Sequence, residues 1–295
     1  MPTVRSILVA TDFSDEAEHA SGRAGRIAEV LGCKRGTLAH VQETASLAAI
    51  KQLLAGATAE TRTEDARGLQ ARLEATAETV ARESGFRLTP HLSSGRALVE
   101  LARLAAEHDL VMLGARGSHQ VRERLVGTLP QRLLGRIERP LLVVRQQPAT
   151  GYDPVVVGVD FSEDCKRALE WAAAIAPEAS IHLVHVFRHS QELAMHYANV
   201  TPGLIAEYRQ RARERSEAEL VRFVGAAGLP SDRVTSWVEE GDPASAICKR
   251  AIDVGAGLIA VGKRGTSEME DLVFGSVVQR LLAEADCDLL ITPHR

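Results

Sequence analysis

Cysteine is scarce. Cys33, Cys165, Cys248 and Cys287 are the four in 295 residues, and no two form a C-x-x-C pair. That spacing argues against a zinc framework or a disulfide scaffold and reads as reduced, packed thiols of a cytoplasmic protein. An excess of one charge is missing too. The formal net charge is −4, so nothing argues for nucleic acid as the main partner. No run approaches the roughly 18 apolar residues that a membrane span needs. The N-terminal MPTVRSILVATDFS enters a strand pattern directly, without the apolar region and small-residue cleavage site of a secretory signal.

Several catalytic signatures are also lacking. There is no G-x4-G-K-[ST] loop, no kinase-type catalytic loop and no obvious pair of carboxylates for magnesium. A dinucleotide-dependent oxidoreductase needs G-x-G-x-x-G after its first strand, where this chain carries Asp-Phe-Ser.

What is present is a repeat. GARGSHQVRERLVGT at 114–128 returns as GKRGTSEMEDLVFGS at 262–276. Both keep Gly, two residues, Gly, nine residues, Gly, then Thr or Ser: Gly114, Gly117, Gly127, Thr128 and Gly262, Gly265, Gly275, Ser276. The repeat extends outward. SILVATDFSDEAEHA at 6–20 matches VVVGVDFSEDCKRA at 155–168, and TLAHV at 37–41 matches IHLVHV at 181–186. LVMLG at 110–114 matches LIAVG at 258–262, and RPLLVVR at 139–145 matches CDLLITP at 287–293. The offset is 148 at Asp12/Asp160, 145 at the second strand and 148 again at the glycine loop, as expected if loops vary and core strands do not. Two domains are expected, 1–147 and 153–295, joined through the Pro/Gly-containing stretch QQPATGYDP.

Runs such as ILVA, LLVV, VVVGV and LIAV are short, β-branched and continuously apolar, the pattern of strands buried on both faces of a parallel sheet. Amphipathic segments lie between them, at 15–31, about 60–84, 96–107, 163–176, about 203–227 and 243–254. The alternation predicts an α/β fold: two five-stranded doubly wound domains. Ligands in such sheets sit beyond the carboxyl ends of the strands, which places the crevices at Asp12 with Gly114 and at Asp160 with Gly262.

The glycines remove β-carbons where the chain turns and where a ligand approaches the backbone. Gly127-Thr128 and Gly275-Ser276 stand at helix starts, whose amides and dipole favour a phosphate. Such a terminus contributes about 0.3–1 kcal/mol, up to about 2. Micromolar affinity needs about 8 kcal/mol, so a base and ribose pocket must supply the rest. Asp12 and Asp160 are placed to accept from ribose or base, and Val41 and Val186 to close an apolar slot. Ser14 and Ser162 read as helix caps rather than nucleophiles. The two aspartates also admit a reading in which they only orient those helix starts. His40 and His185 read as packed or edge histidines inside strands, and His182 and His185 fall on opposite strand faces, unable to share a metal.

These motifs resemble the universal stress protein family in its tandem form, over essentially the whole chain. The resemblance rests on VATDFS and VGVDFS, AHV and VHV, and both glycine loops. It implies Rossmann-like, HUP-like domains of strand order 3-2-1-4-5, paired through their last strands as an intramolecular pseudo-dimer. It also implies ATP, with or without magnesium, as ligand. By similarity, the base and ribose would meet Thr11, Asp12, Val41, Leu113 and Gly114, and the phosphates Arg116, Gly117, Gly127, Thr128 and Leu129. The second set is Val159, Asp160, Val186, Val261, Gly262, Arg264, Gly265, Gly275, Ser276 and Val277. The expected role is a nucleotide-binding stress sensor rather than an enzyme, with slow ATP hydrolysis or phosphoryl transfer, another small ligand, and a homodimer of tandem chains left open.

Loop charge distinguishes the copies. Residues 115–126 sum to +2 and residues 263–274 to −1, counting Lys263 and Arg264 as cations. The first site is therefore expected to bind the polyphosphate more tightly; Pro130, where the second copy has Val278, is a departure that stiffens the first helix start and alters the expected triphosphate pose. The Arg-rich stretch 209–215 reads as a solvated helix face, and 188–208 as a variable connection or lid.

Overall fold

A computed structural model describes residues 2–43, 59–115, 128–148, 150–187, 200–265 and 274–293, with side chains from 65 and 129 onward in the second and third stretches. The first half runs β1 (Ser6–Ala10), α1 (Asp15–Leu31), β2 (Arg35–Glu43), α2 (Ala59–Ser84), β3 (Leu88–Gly95), α3 (Ala97–Ala106), β4 (Leu110–Gly114), α4 (Thr128–Leu134) and β5 (Leu141–Val144). The second repeats it as β6 (Val155–Val159), α5 (Glu163–Ile175), β7 (Ile181–Phe187), α6 (Pro202–Ala227), β8 (Val234–Glu240), α7 (Pro243–Val254), β9 (Leu258–Gly262), α8 (Ser276–Glu284) and β10 (Asp288–Thr292).

The continuously apolar strands behave as their composition dictates. Every residue of β1, β5, β6 and β10 is buried, because helices cover both sheet faces. On one face α1, α2, α5 and α6 contribute Ile27, Leu73, Leu169 and Leu220 to the core. On the other, α3, α4, α7 and α8 contribute Leu101, Leu133, Ile247 and Leu281. The strands form one ten-stranded sheet, ordered β3-β2-β1-β4-β5-β10-β9-β6-β7-β8. Each half therefore has the order 3-2-1-4-5, and pairing is parallel within each half.

The halves meet where β5 and β10 pair antiparallel, with Leu142 opposite Leu290. A polar cluster pins this seam. Asp288, fully buried, accepts from the Arg145 and Gln146 amides at 2.7 and 3.0 Å and from the Tyr152 hydroxyl at 2.6 Å. Arg23 of α1 completes it, with Nε 3.4 Å from the Asp288 carboxylate and its guanidinium over the Tyr152 ring. One carboxylate thus holds α1, the connection after β5 and the last strand in one arrangement.

The Arg-rich stretch lies on α6 as a solvated face, where Arg211 and Arg213 pair with Glu207 and Glu217 one turn away. Of the connection at 188–208, residues 188–199 lie outside the described residues, and α6 takes up most of the remainder.

Candidate functional site

Both parallel halves place β1 and β4, or β6 and β9, side by side, so the switch point of each half lies beyond those strands. At the end of β1 the chain turns through Asp12-Phe13-Ser14, and at the end of β6 through Asp160-Phe161-Ser162. Asp12 Oδ1 accepts from the Ser14 amide and hydroxyl at 3.1 and 2.6 Å. Asp160 Oδ1 does the same for Ser162 at 3.0 and 2.6 Å. Each serine then caps the following helix, accepting from the Ala17 or Cys165 amide. Each aspartate therefore orients a helix start through its Oδ1. In the second half the other oxygen is directed at the glycine loop: Asp160 Oδ2 lies 2.7 Å from where a β-carbon on Gly265 would stand.

The three glycines of the second loop answer to different neighbours. A β-carbon on Gly262 would stand 2.6 Å from Asp164 Cβ and 3.0 Å from the Cys165 nitrogen. Gly114 is equally tight against Glu16 and Ala17. The first glycine of each skeleton is thus required because a helix start packs on the strand end, a reason different from the turn and ligand approach inferred from sequence. Gly265 is required by the Asp160 carboxylate. Gly275 is required by nothing in the described protein, since its β-carbon would meet only the Lys263 carbonyl, at an ordinary 3.8 Å.

Gly275 is also the N-cap of α8 and offers no side chain to the helix amides. Ser276, Val277 and Val278 open that helix, and the first amides of a helix have no partner within it. Two other loop amides are already engaged: Arg264 donates to Asp164 at 3.2 Å and Gly275 to the Lys263 carbonyl at 3.0 Å. Among the described residues of this loop and of α8, the amides without a partner in their own helix are therefore those at the start of α8.

A cavity of about 380 Å³ opens here, and every second-half residue expected at the site lines it: Val159, Asp160, Val186, Val261, Gly262, Arg264, Gly265, Gly275, Ser276 and Val277. The sequence reading missed Val184, Pro243 and Ile247, which wall the apolar side. Pro243 and Ile247 belong to α7, and their repeat counterparts Ala97 and Leu101 line the equivalent cavity of the first half. The shared offset relates the two walls to each other but does not by itself point either of them at the cleft.

In the first half the cavity is about 120 Å³ and is lined by Thr11, Asp12, Val41, Leu113, Gly114 and Leu129, together with His40, Leu101 and Pro130. Arg116, Gly117 and Gly127 lie outside the described residues, as does the side chain of Thr128. The larger cavity is thus in the second half, while residues 116–127, on whose charge the expectation for the first half rests, lie outside the described residues. One term of that charge count also changes. Lys263 does not face the loop: its side chain is buried, and Nζ donates to the Ile137 carbonyl of the first half at 3.0 Å, with Glu138 at 3.5 Å.

The thiols are poor nucleophiles. Burial pushes Cys165 and Cys287 up to about 12 and Cys248 up to about 11. Among the described residues no group of three or more His, Cys, Asp or Glu is arranged to hold a metal ion. Among them, no helix is long and apolar enough to cross a membrane.

The fold and the two switch-point clefts define a tandem, doubly wound α/β protein of the class that holds ligands at strand ends. The profile of the universal stress protein family matches twice, over residues 3–145 and 151–293, and the chain belongs to that family. A universal stress protein of Thermus aquaticus, encoded beside a QAH/OAS sulfhydrylase, is 31% identical over 140 residues, covering 48% of this chain and 98% of its own. The Bacillus subtilis universal stress protein YxiE is 25% identical over 145 residues, covering 48% and 98%. These relatives correspond to one half of the chain. A crystal structure of a universal stress protein from Archaeoglobus fulgidus superposes with a TM-score of 0.69 at 18% identity, covering 99% of both chains, and so shares the tandem fold.

Proposed function

We propose that the chain binds an adenine nucleotide, ATP foremost, in the cavity of its second half, and that occupancy regulates rather than feeds a reaction. The observation that carries this reading is Gly275. The described residues leave room for a β-carbon there, and glycine at that point keeps the space open in front of the α8 amides. Phosphates would lie at Ser276 and Val277, with Arg264 at the exposed rim. The base would fill the apolar side between Val184, Val186, Ile247 and Val261, and Asp160 would accept from ribose or base.

The volume suits this assignment. Small-molecule sites run from about 300 to 1,000 Å³, a range that includes the second cavity and not the first. We therefore assign the principal site to the second half. Among the described residues Asp160 is the one carboxylate lining the second cavity, and its Oδ1 is engaged with Ser162, which favours binding over turnover. Denaturing the purified protein and identifying released nucleotide by mass spectrometry tests the ligand. Single-turnover phosphate release that Asp160→Ala abolishes without loss of binding would replace the regulatory reading with an enzymatic one.

A further inference from the structure

The turn that carries each aspartate is held in a shape its residues disfavour. Phe13 has φ 62° and Phe161 φ 64°, and among the described residues these are the two non-glycine positions of positive φ. A bulky side chain in the left-handed region persists only where its surroundings over-determine it. The surroundings are the same in both halves. His40 Nδ1 is 2.8 Å from the Thr11 carbonyl, and His185 Nδ1 is 2.8 Å from the Val159 carbonyl. The same rings lie against the phenylalanines, with centroids 4.7 Å apart for Phe13–His40 and 4.4 Å for Phe161–His185, both tilted by 36°. Each imidazole thus grips the residue before the aspartate by a hydrogen bond and the residue after it by a ring contact. Behind the phenylalanines stand Arg72 of α2, 4.2 Å from the Phe13 centroid, and Phe223 of α6, 6.0 Å from Phe161.

We propose that His185, and His40 in the first half, are positioning residues that lock the aspartate turn in its left-handed form and so aim the aspartate into the ligand cavity. This rests on the nucleotide reading for its ligand but not for its geometry. A carbonyl oxygen only accepts, so Nδ1 carries the proton and the neutral ring is the Nδ1–H tautomer. The histidine acts on the ligand through Asp160, whose Oδ2 faces Gly265, and not by touching the ligand itself. Duplication of the whole arrangement, across an offset of 148 at the aspartates and 145 at the histidines, separates it from a single accident of packing.

The test uses the full chain. Nitrogen chemical shifts of His185 in the ligand-free protein are expected to report the Nδ1–H tautomer, and the Nε2–H tautomer would overturn the proposal. In ATP titrations His185→Leu is expected to weaken binding about tenfold, the scale of one hydrogen bond to an ionised group. His185→Asn, which retains a donor near the Nδ1 position, is expected to recover most of that loss. In the Asp160→Ala background His185→Leu is expected to add nothing, because it acts through that carboxylate. Additive losses, or an Asn variant no better than Leu, would overturn the proposal. If the unaltered protein binds no ATP, the nucleotide reading falls by itself, and the tautomer alone decides the positioning role.

Discussion

The ammonium of Lys263 lies 3.0 Å from the carbonyl oxygen of Ile137, across the boundary between the two halves. Lys263 follows the first glycine of the second loop, and its own carbonyl accepts from Gly275, so one residue both closes the glycine loop and clasps the first half. Its repeat counterpart is Ala115, which has no such reach. Lys263→Ala is expected to lower unfolding stability by about 2–3 kcal/mol through loss of a charged hydrogen bond. Lys263→Met, which fills the same space, should lose less. Urea denaturation of the full chain measures both.

Burial depresses the Lys263 pKa below the ordinary lysine value, and Glu138 only partly opposes it. The folded chain therefore releases this proton at lower pH than the unfolded chain. Keeping the charge inside costs stability below the folded pKa, and the cost is relieved as pH rises toward the ordinary value of 10.5. Stability relative to Lys263→Met should accordingly rise across that window. Parallel curves for the two proteins would contradict the assignment.

Tyr152 behaves with the opposite sign. Burial first, and then the Asp288 carboxylate, raise its pKa well above the ordinary 10, against the opposing Arg23 charge. The stability this gives is present below the unfolded pKa and lost as pH rises through the folded one. In an absorbance titration Tyr152→Phe should leave the native phenolate signal near pH 10 unchanged. It should remove one third of the unfolded signal, since the chain has 3 tyrosines. The variant should also lose about 1–2 kcal/mol, the scale of one buried hydrogen bond.

The glycines separate packing from ligand binding. Gly262→Ala and Gly114→Ala press a β-carbon into helix backbone and should destabilise by about 1–3 kcal/mol. Gly265→Ala displaces the Asp160 carboxylate and should weaken ATP binding with a smaller effect on stability. Thermal unfolding and calorimetric titration on the same preparations distinguish the classes.

Much of this was legible in the residues. Continuous apolar runs and the 148-residue offset led to the doubly wound halves, and the repeated Asp-Phe-Ser and glycine skeletons led to the cleft. The order and seam of the strands, implied by family resemblance, stand in the structure as expected. Three things were not legible. The wall formed by Pro243 and Ile247 depends on how α7 crosses the sheet, which the local pattern does not encode. Counting Lys263 toward loop charge failed because a long side chain can leave by the far side of its strand and be buried elsewhere. The grip of His40 and His185 depends on strand register and a left-handed phenylalanine, both set by tertiary packing.

Calorimetric titration of ATP into the full chain and its Gly275→Ala variant tests the central claim most directly. The account predicts micromolar or tighter binding, at least about 8 kcal/mol, to the unaltered protein. It predicts at least a tenfold loss in Gly275→Ala, with unfolding stability unchanged within about 0.5 kcal/mol. Equal affinity in the two proteins, or no binding by the folded chain at millimolar ATP, would contradict it.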